Sequence, residues 1–260
     1  MRYLILRCLP WLVGALGFVA LEWTWNEPAS YPWPLLIPWV ALILAALVIG
    51  WRKVSVSELI EKMTMPVIAF AALGLACLLI EDELGQILFT LLGIGIPLLS
   101  LELLFLYAFQ PTRYPVNAIS RLNLALVPLT GYFLGVGLMG LQVFLTDPAW
   151  VHIADPVTLG IFAALGSVLA LITCHPTSDR AHKARWASFG ALLGLQIGIL
   201  CIILPVALPV IGCVAALGLA APLRARRYSH DPKPPVRLAW AEGTMAFVFF
   251  VTILLVSRWA

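Results

Sequence analysis

The chain consists of long apolar runs separated by short segments that hold most of the charged residues and many of the prolines. A helix needs roughly 20 apolar residues to cross the hydrocarbon of a bilayer. Nine runs approach that length, and each predicts a transmembrane helix. The predicted spans are residues 3–21, 34–51, 63–80, 86–109, 122–144, 157–173, 187–204, 206–223 and 239–257.

The stretch 187–223 is too long for one ordinary span, and Pro205 and Pro209 interrupt it. Two prolines four residues apart favour a tight hairpin between two spans. The alternative is one span followed by a re-entrant segment, which would reverse the sidedness of everything that follows it. The hairpin is the interpretation that the charges support.

Lysine and arginine fall at the N-terminus or at alternate connections, and such connections are expected to be cytoplasmic. Only Arg258 falls on the other side. The remaining basic residues are Arg2, Arg7, Arg52, Lys53, Lys62, Arg113, Arg121, Arg180, Lys183, Arg185, Arg224, Arg226, Arg227, Lys233 and Arg237. The opposite connections carry acidic residues without any lysine or arginine, namely Glu22, Glu27, Glu81, Asp82, Glu83, Asp147 and Asp155.

This alternation predicts a cytoplasmic N-terminus and an outer C-terminus. A re-entrant segment after residue 204 would place Arg224, Arg226, Arg227 and Lys233 outside, against the rule for basic residues. Tryptophan and tyrosine, which prefer the membrane interfaces, agree with the alternation. Trp23, Trp25, Tyr31, Trp33, Trp150 and Trp259 lie at the predicted outer boundary, and Trp51, Trp186 and Trp240 at the inner one.

Composition makes lipid the solvent for most of the surface. Of 260 residues, 62% are hydrophobic and 11% charged, with a mean hydropathy of +0.99. A soluble domain of this size needs several times as many charged residues. We therefore predict a single transmembrane domain over residues 1–260, an all-α polytopic bundle in a membrane of the bacterial inner (plasma) type. The net charge of +3 gives no reason to expect nucleic acid as a partner.

Glycines recur every fourth residue in two predicted spans. Gly190, Gly194 and Gly198 do so in the seventh, and Gly131 and Gly135 in the fifth. Small residues at this spacing let helix backbones approach closely. The pattern predicts close packing between neighbouring helices of this chain.

Three ionisable residues fall inside predicted spans, Arg7, Glu102 and Glu242, and they form the candidate substrate or proton site. Such a group is costly in hydrocarbon unless it is paired or hydrated. At about 1.5 Å per residue, all three come out roughly 7 to 9 Å to the cytoplasmic side of the midplane. If they meet, Arg7 neutralises one carboxylate and the other is left to carry a proton or bind a cationic substrate. Alternatively, Arg7 and Glu242 extend toward the headgroups and Glu102 makes a structural hydrogen bond.

Two polar segments suggest ligands outside the membrane. His175, Asp179 and His182 have spacing that suits a metal. No other strong ligand is near them in the sequence, so a solvated loop is the expectation. The basic segment from Arg224 to Arg237 suits an anionic lipid or a protein partner. The topology rule alone accounts for the same charges.

Motifs for metalloproteases, serine hydrolases, nucleotide-binding loops and dinucleotide-binding turns are absent from the sequence. No cofactor is implied, and no stretch resembles the motif of a known family. The leading interpretation is a permease-like subunit that moves a small solute, an ion or a lipid. The alternatives are a non-catalytic subunit of a membrane complex and an intramembrane enzyme that uses Glu102 and Glu242 as acid and base on a lipid.

Overall fold

The computed structural model describes residues 2–115, 117–144, 148–173, 180–229 and 236–256. Over these residues the chain forms nine α-helices and two short 3-10 segments, with no extended β-strand. The helices are α1 (Arg2–Asn26), α2 (Trp33–Gly50), α3 (Val56–Ala76), α4 (Glu83–Phe109), α5 (Ala118–Phe144), α6 (Pro148–Thr173), α7 (Arg180–Ile203), α8 (Leu208–Ser229) and α9 (Val236–Val256). The predicted all-α class is confirmed.

Eight helices, α1 to α8, are long and apolar enough to cross a membrane. In α9 the apolar part within the described residues is shorter and covers Trp240–Thr252. Together with the exposed apolar side chains on the outside of most helices, this makes the chain a polytopic integral membrane protein. The sidedness derived from the charges stays a prediction.

The stretch 187–223 folds as two helices, as its prolines predict. Helix α7 ends at Ile203 and α8 begins at Leu208, which places Pro209 in the first turn of α8. A proline is tolerated there because the first N–H groups of a helix have no partner within the helix. Residues Leu208–Ala225 are long and apolar enough to cross a membrane, which favours the hairpin over a re-entrant segment.

Most helices are longer than the apolar runs that predicted them. Helix α3 begins at Val56 because Ser55 accepts a hydrogen bond from the N–H of Glu58 and the Glu58 side chain accepts one from the N–H of Ser55. This reciprocal cap starts a helix well before its apolar part. Hydropathy marks only the part of a helix that suits hydrocarbon, so polar ends are missed.

The described residues divide into two compact units, Met1–Leu126 and Val127–Ala260. The single domain over residues 1–260 stays a prediction. In the first unit the indole N–H of Trp25, at the end of α1, donates to the carbonyl of Cys77 just after α3 (3.0 Å). The ends of α1 and α3 thus lie together, as alternating helix directions require.

Helices α1 and α4 cross at two glycines. A methyl group added to Gly17 would contact the carbonyl oxygen of Gly93, and one added to Gly93 would overlap the side chain of Leu21. The two backbones can approach closely only because neither residue has a Cβ atom. This crossing sets the register of α1 against α4.

In the second unit the glycine repeats pack as predicted. A methyl group on Gly190 would overlap the carbonyl of Gly166, and one on Gly194 would overlap that of Phe162. Gly131 and Gly135 of α5 lie against the backbone of α8 near Ala215. Both repeats therefore serve packing between helices of this chain, α6 with α7 and α5 with α8.

Candidate functional site

The three candidate residues take part in two ion pairs, one in each compact unit. Arg7 pairs with Glu102 in the first unit, and Glu242 pairs with Arg224 in the second. From the sequence, Arg7 was expected to neutralise one of the two carboxylates and to leave the other without a partner. Arg224 was expected to be a topology charge or part of a basic segment for an anionic lipid or a protein partner. Each glutamate instead has its own arginine.

The first pair follows from the glycine crossing of α1 and α4. Arg7 lies ten residues before Gly17, and Glu102 lies nine residues after Gly93. Because the two helices are antiparallel, these nearly equal separations place Arg7 and Glu102 at the same height along the helix axes. The Arg7 Nη2 and Glu102 Oε1 atoms are 3.0 Å apart, with 47% of the Arg7 side chain and 27% of the Glu102 side chain exposed.

Aromatic side chains lie beside Arg7 of the first pair. The Arg7 guanidinium lies 5.5 Å from the centre of the Phe105 ring, which also packs against Tyr3 and Phe109. The Gln110 amide donates to the Tyr3 hydroxyl. Arg7 thus has a carboxylate on one side and a π-face on the other, and these contacts satisfy a guanidinium in an apolar setting.

The second pair joins the end of α8 to the start of α9. Arg224 Nη1 lies 3.5 Å from Glu242 Oε1, and about a third of each side chain is exposed, 36% and 32%. This distance exceeds the 2.7–2.9 Å that is typical of a strong charged hydrogen bond. The distance between the charged atoms is therefore longer in this pair than in Arg7–Glu102.

A groove of about 820 Å³ runs along α8 and α9 from this second pair. The lining extends from Arg224 to Leu217 on α8 and from Glu242 to Thr252 on α9, with Pro128 of α5 beside them. Most of the lining is apolar, and Thr244 and Thr252 are its other polar side chains. At about 1.5 Å per residue, the ten residues from Glu242 to Thr252 give the groove a length of roughly 15 Å.

The groove is charged at one end and apolar along the rest of its length. Its volume falls within the range of about 300–1,000 Å³ common for small-molecule sites. Gly243 faces open space, since a methyl group added there would meet nothing within 4 Å. Such a surface can hold a molecule that combines a charged group with a hydrocarbon chain.

The pairing of Arg224 with Glu242 was not expected from the sequence, although the sequence holds a signal for it. Helices joined by a short connection are antiparallel neighbours, so residues equally distant from the connection face each other. Arg224 lies nine residues before Lys233 and Glu242 nine residues after it.

The remaining polar candidates have structural partners or lie outside the description. His182 Nε2 accepts a hydrogen bond from the indole of Trp186 (2.6 Å), whereas His175 and Asp179 are outside the described residues. Over the part of the chain that is described, no three His, Cys, Asp or Glu side chains are grouped as a metal site. The side chains of Arg226, Arg227 and Lys233 are likewise outside the description.

No protein-family model, curated protein or solved structure matches this chain. The chain is therefore an all-α, multi-pass membrane protein with an ion pair between helices in each compact unit, and its function must be argued from the geometry of these pairs.

Proposed function

We propose that this protein is a permease-like membrane subunit that moves a lipid or a similar amphiphile with a charged headgroup. The observation that carries the proposal is the groove of α8 and α9, with the Arg224–Glu242 pair at one end. A headgroup at the pair and a hydrocarbon chain along the apolar walls would match its two parts.

The ion pair supports a path for a polar headgroup through an apolar region. A charged headgroup meets a large cost in hydrocarbon unless it finds partners there. Arg224 and Glu242 offer one partner of each sign, at a distance that is loose for such a pair. A headgroup entering the groove can therefore replace one ionic contact with another instead of losing its partners altogether.

The walls of the groove favour an amphiphile over the other substrate classes considered for a permease, an ion or a small polar solute. Beyond the charged end, a substrate meets side chains such as Leu217, Val248 and Phe249. A bare ion or a sugar would lose hydration against these residues without gaining hydrogen bonds.

The test is lipid exchange between leaflets in proteoliposomes that contain the full-length protein and a fluorescent phospholipid. A reductant added outside bleaches the probe in the outer leaflet, so the slow phase reports movement between leaflets. We expect the wild type to accelerate this phase over protein-free vesicles. Glu242→Gln, which removes one charge of the pair, and Gly243→Leu, which fills the groove, should each slow it at least about tenfold.

Gly160→Leu is the matched control for Gly243→Leu. Gly160 lies on α6, outside the lining of the groove, and a methyl group there also meets nothing within 4 Å. It should exchange lipid at the wild-type rate. A wild type no faster than empty vesicles, or a Gly243→Leu variant as fast as Gly160→Leu, would count against the proposal.

A non-catalytic subunit of a larger complex is the second candidate, favoured by the exposure of α9. Its apolar side chains Met245, Phe247 and Phe249 are largely uncovered, so a partner helix would also fit beside it. Purification in mild detergent separates the two. A stoichiometric partner that is lost in Gly243→Leu and kept in Gly160→Leu would favour the subunit.

A further inference from the structure

Five basic side chains lie on one edge of the first compact unit. They come from the α2–α3 connection, the start of α3, the α4–α5 connection and the start of α5. We call this set the basic edge: Arg52, Lys53, Lys62, Arg113 and Arg121. Only Glu58 and Glu61 oppose them in the same segments, so the edge carries a net positive charge.

Ring contacts hold two of these cations in place at the end of α4. The Lys53 ammonium lies 5.8 Å from the centre of the Phe109 ring, and the Lys62 ammonium lies 4.2 Å from that of Tyr107. These contacts limit the freedom of two otherwise flexible side chains. Less side-chain entropy is then lost when an anion binds.

Arg113 in the α4–α5 connection and Arg121 at the start of α5 belong to the same edge. Tyr107 packs against Tyr114, and the Tyr114 hydroxyl accepts a hydrogen bond from the N–H of Ile119 (3.1 Å). The Asn123 amide donates to the carbonyl of Lys62 (3.2 Å). The α4–α5 connection and the start of α5 thus lie beside α3, which brings Arg113 and Arg121 to the edge.

Arg52 has a backbone conformation that would suit glycine better. Its φ of 61° lies in the left-handed region, and the N–H groups of Lys53 and Val54 both donate to the carbonyl of Gly50 and close the helix there. Glycine is the usual residue at such a helix end because it has no Cβ penalty. An exposed arginine at this position is unfavourable for the backbone, which points to a use for its guanidinium.

Trp51, next to Arg52, indicates the depth of the basic edge in the bilayer. Trp51 is 70% exposed, and an exposed indole at the end of an apolar helix is typical of the headgroup region of a bilayer. A cluster of cations at that depth faces the phosphate groups of lipids.

We propose that the basic edge binds the headgroup of an anionic phospholipid. Arg52 and Lys53 supply the charge that contacts the phosphate, and the acyl chains lie against the apolar surface of the first unit. The inference is independent of lipid movement along α8 and α9, because none of its residues lines that groove.

The experiment is native mass spectrometry of the full-length protein in nonionic detergent, titrated with phosphatidylglycerol. The test variant is Arg52→Gly combined with Lys53→Gln. At about fivefold per basic residue near a membrane surface, the pair of changes should weaken binding roughly thirtyfold. Phosphatidylcholine with the same acyl chains should bind the wild type and the variant equally.

Lys183→Gln combined with Arg185→Gln is the matched control, since it removes two exposed charges from α7 in the other unit. It should leave phosphatidylglycerol binding unchanged. Arg52→Gly alone should unfold at or above the wild-type temperature, because glycine adopts the left-handed conformation freely, and it should still bind about fivefold more weakly. Loss of binding can thus be separated from loss of folding.

Equal weakening of phosphatidylglycerol binding in the test and control variants, or no weakening in either, would overturn the proposal. The basic residues of this edge would then not form a specific binding site. Inorganic phosphate is the second probe. If phosphate displaces phosphatidylglycerol and sodium chloride of equal ionic strength does not, the site takes a free anion and the assignment to lipid is wrong. Equal, weak displacement by both salts supports a lipid site.

Discussion

A charged side chain within an apolar helix must find a partner, and Arg7 has two. It contacts the Glu102 carboxylate and lies over the Phe105 ring. Removing one member of such a pair leaves the other charge uncompensated, which costs more than removing both. The side chains are partly exposed, so the effect is smaller than for a fully buried pair.

We expect Glu102→Gln and Arg7→Met each to lower the free energy of unfolding by about 1–2 kcal/mol, with the double variant within about 0.5 kcal/mol of the wild type. Thermal unfolding in detergent measures this double-mutant cycle. A double variant less stable than both singles would contradict a direct pair.

The same variants test whether Glu102 also belongs to a substrate or proton site, which stays a prediction. A role in transport predicts that lipid exchange is lost in Glu102→Gln and is not restored in the stable double variant. A purely structural role predicts that exchange recovers together with stability.

Among the helices, α6 and α7 are the pair most dependent on small residues. Gly166, Gly190 and Gly194 place two backbones where a methyl group would overlap a carbonyl. In lipid, helix association depends on such close packing and not on the hydrophobic effect between helices. A larger side chain must therefore push the helices apart along their contact.

We expect Gly190→Leu to lower the stability of the protein by about 3 kcal/mol or more, since the added atoms meet backbone and not a flexible side chain. Gly160→Leu on α6 should have little effect, because that position is open. Unfolding temperature and yield in detergent report both. Equal stability of the two variants would mean that α6 and α7 are not packed as described.

For the whole molecule, the number of crossings depends on α9. Its described apolar part, Trp240–Thr252, is shorter than a bilayer's hydrocarbon requires, whereas the complete helix Val236–Val256 would span about 30 Å at 1.5 Å per residue. The basic residues before α9 predict that the start of this helix is cytoplasmic.

We expect reporters at the two termini to respond from opposite compartments. Green fluorescent protein should fluoresce at the N-terminus, and alkaline phosphatase should be active at the C-terminus. A phosphatase inserted after Lys233 should be inactive, because that connection is predicted to be cytoplasmic. Termini in the same compartment would reduce the crossings to eight and leave α9 on the membrane surface.

The helices, their order and the hairpin at Pro205 and Pro209 follow from the sequence, because lipid forces each backbone to satisfy its hydrogen bonds within a helix and the apolar runs mark where this happens. The glycine repeats likewise identify surfaces of close contact. The helix ends were missed where polar residues continue a helix beyond the hydrocarbon, as the cap of Ser55 and Glu58 does for α3.

Hydropathy assigns the three charges to one depth, but it contains no information about which helices are neighbours. The crossing at Gly17 and Gly93 brings Arg7 to Glu102, and the packing of α8 with α9 brings Arg224 to Glu242 and opens the groove between them. Depth is set by each helix alone, through its own transfer from water to lipid. Lateral pairing is set by contacts between helices distant in sequence, and these become visible only once the chain is folded.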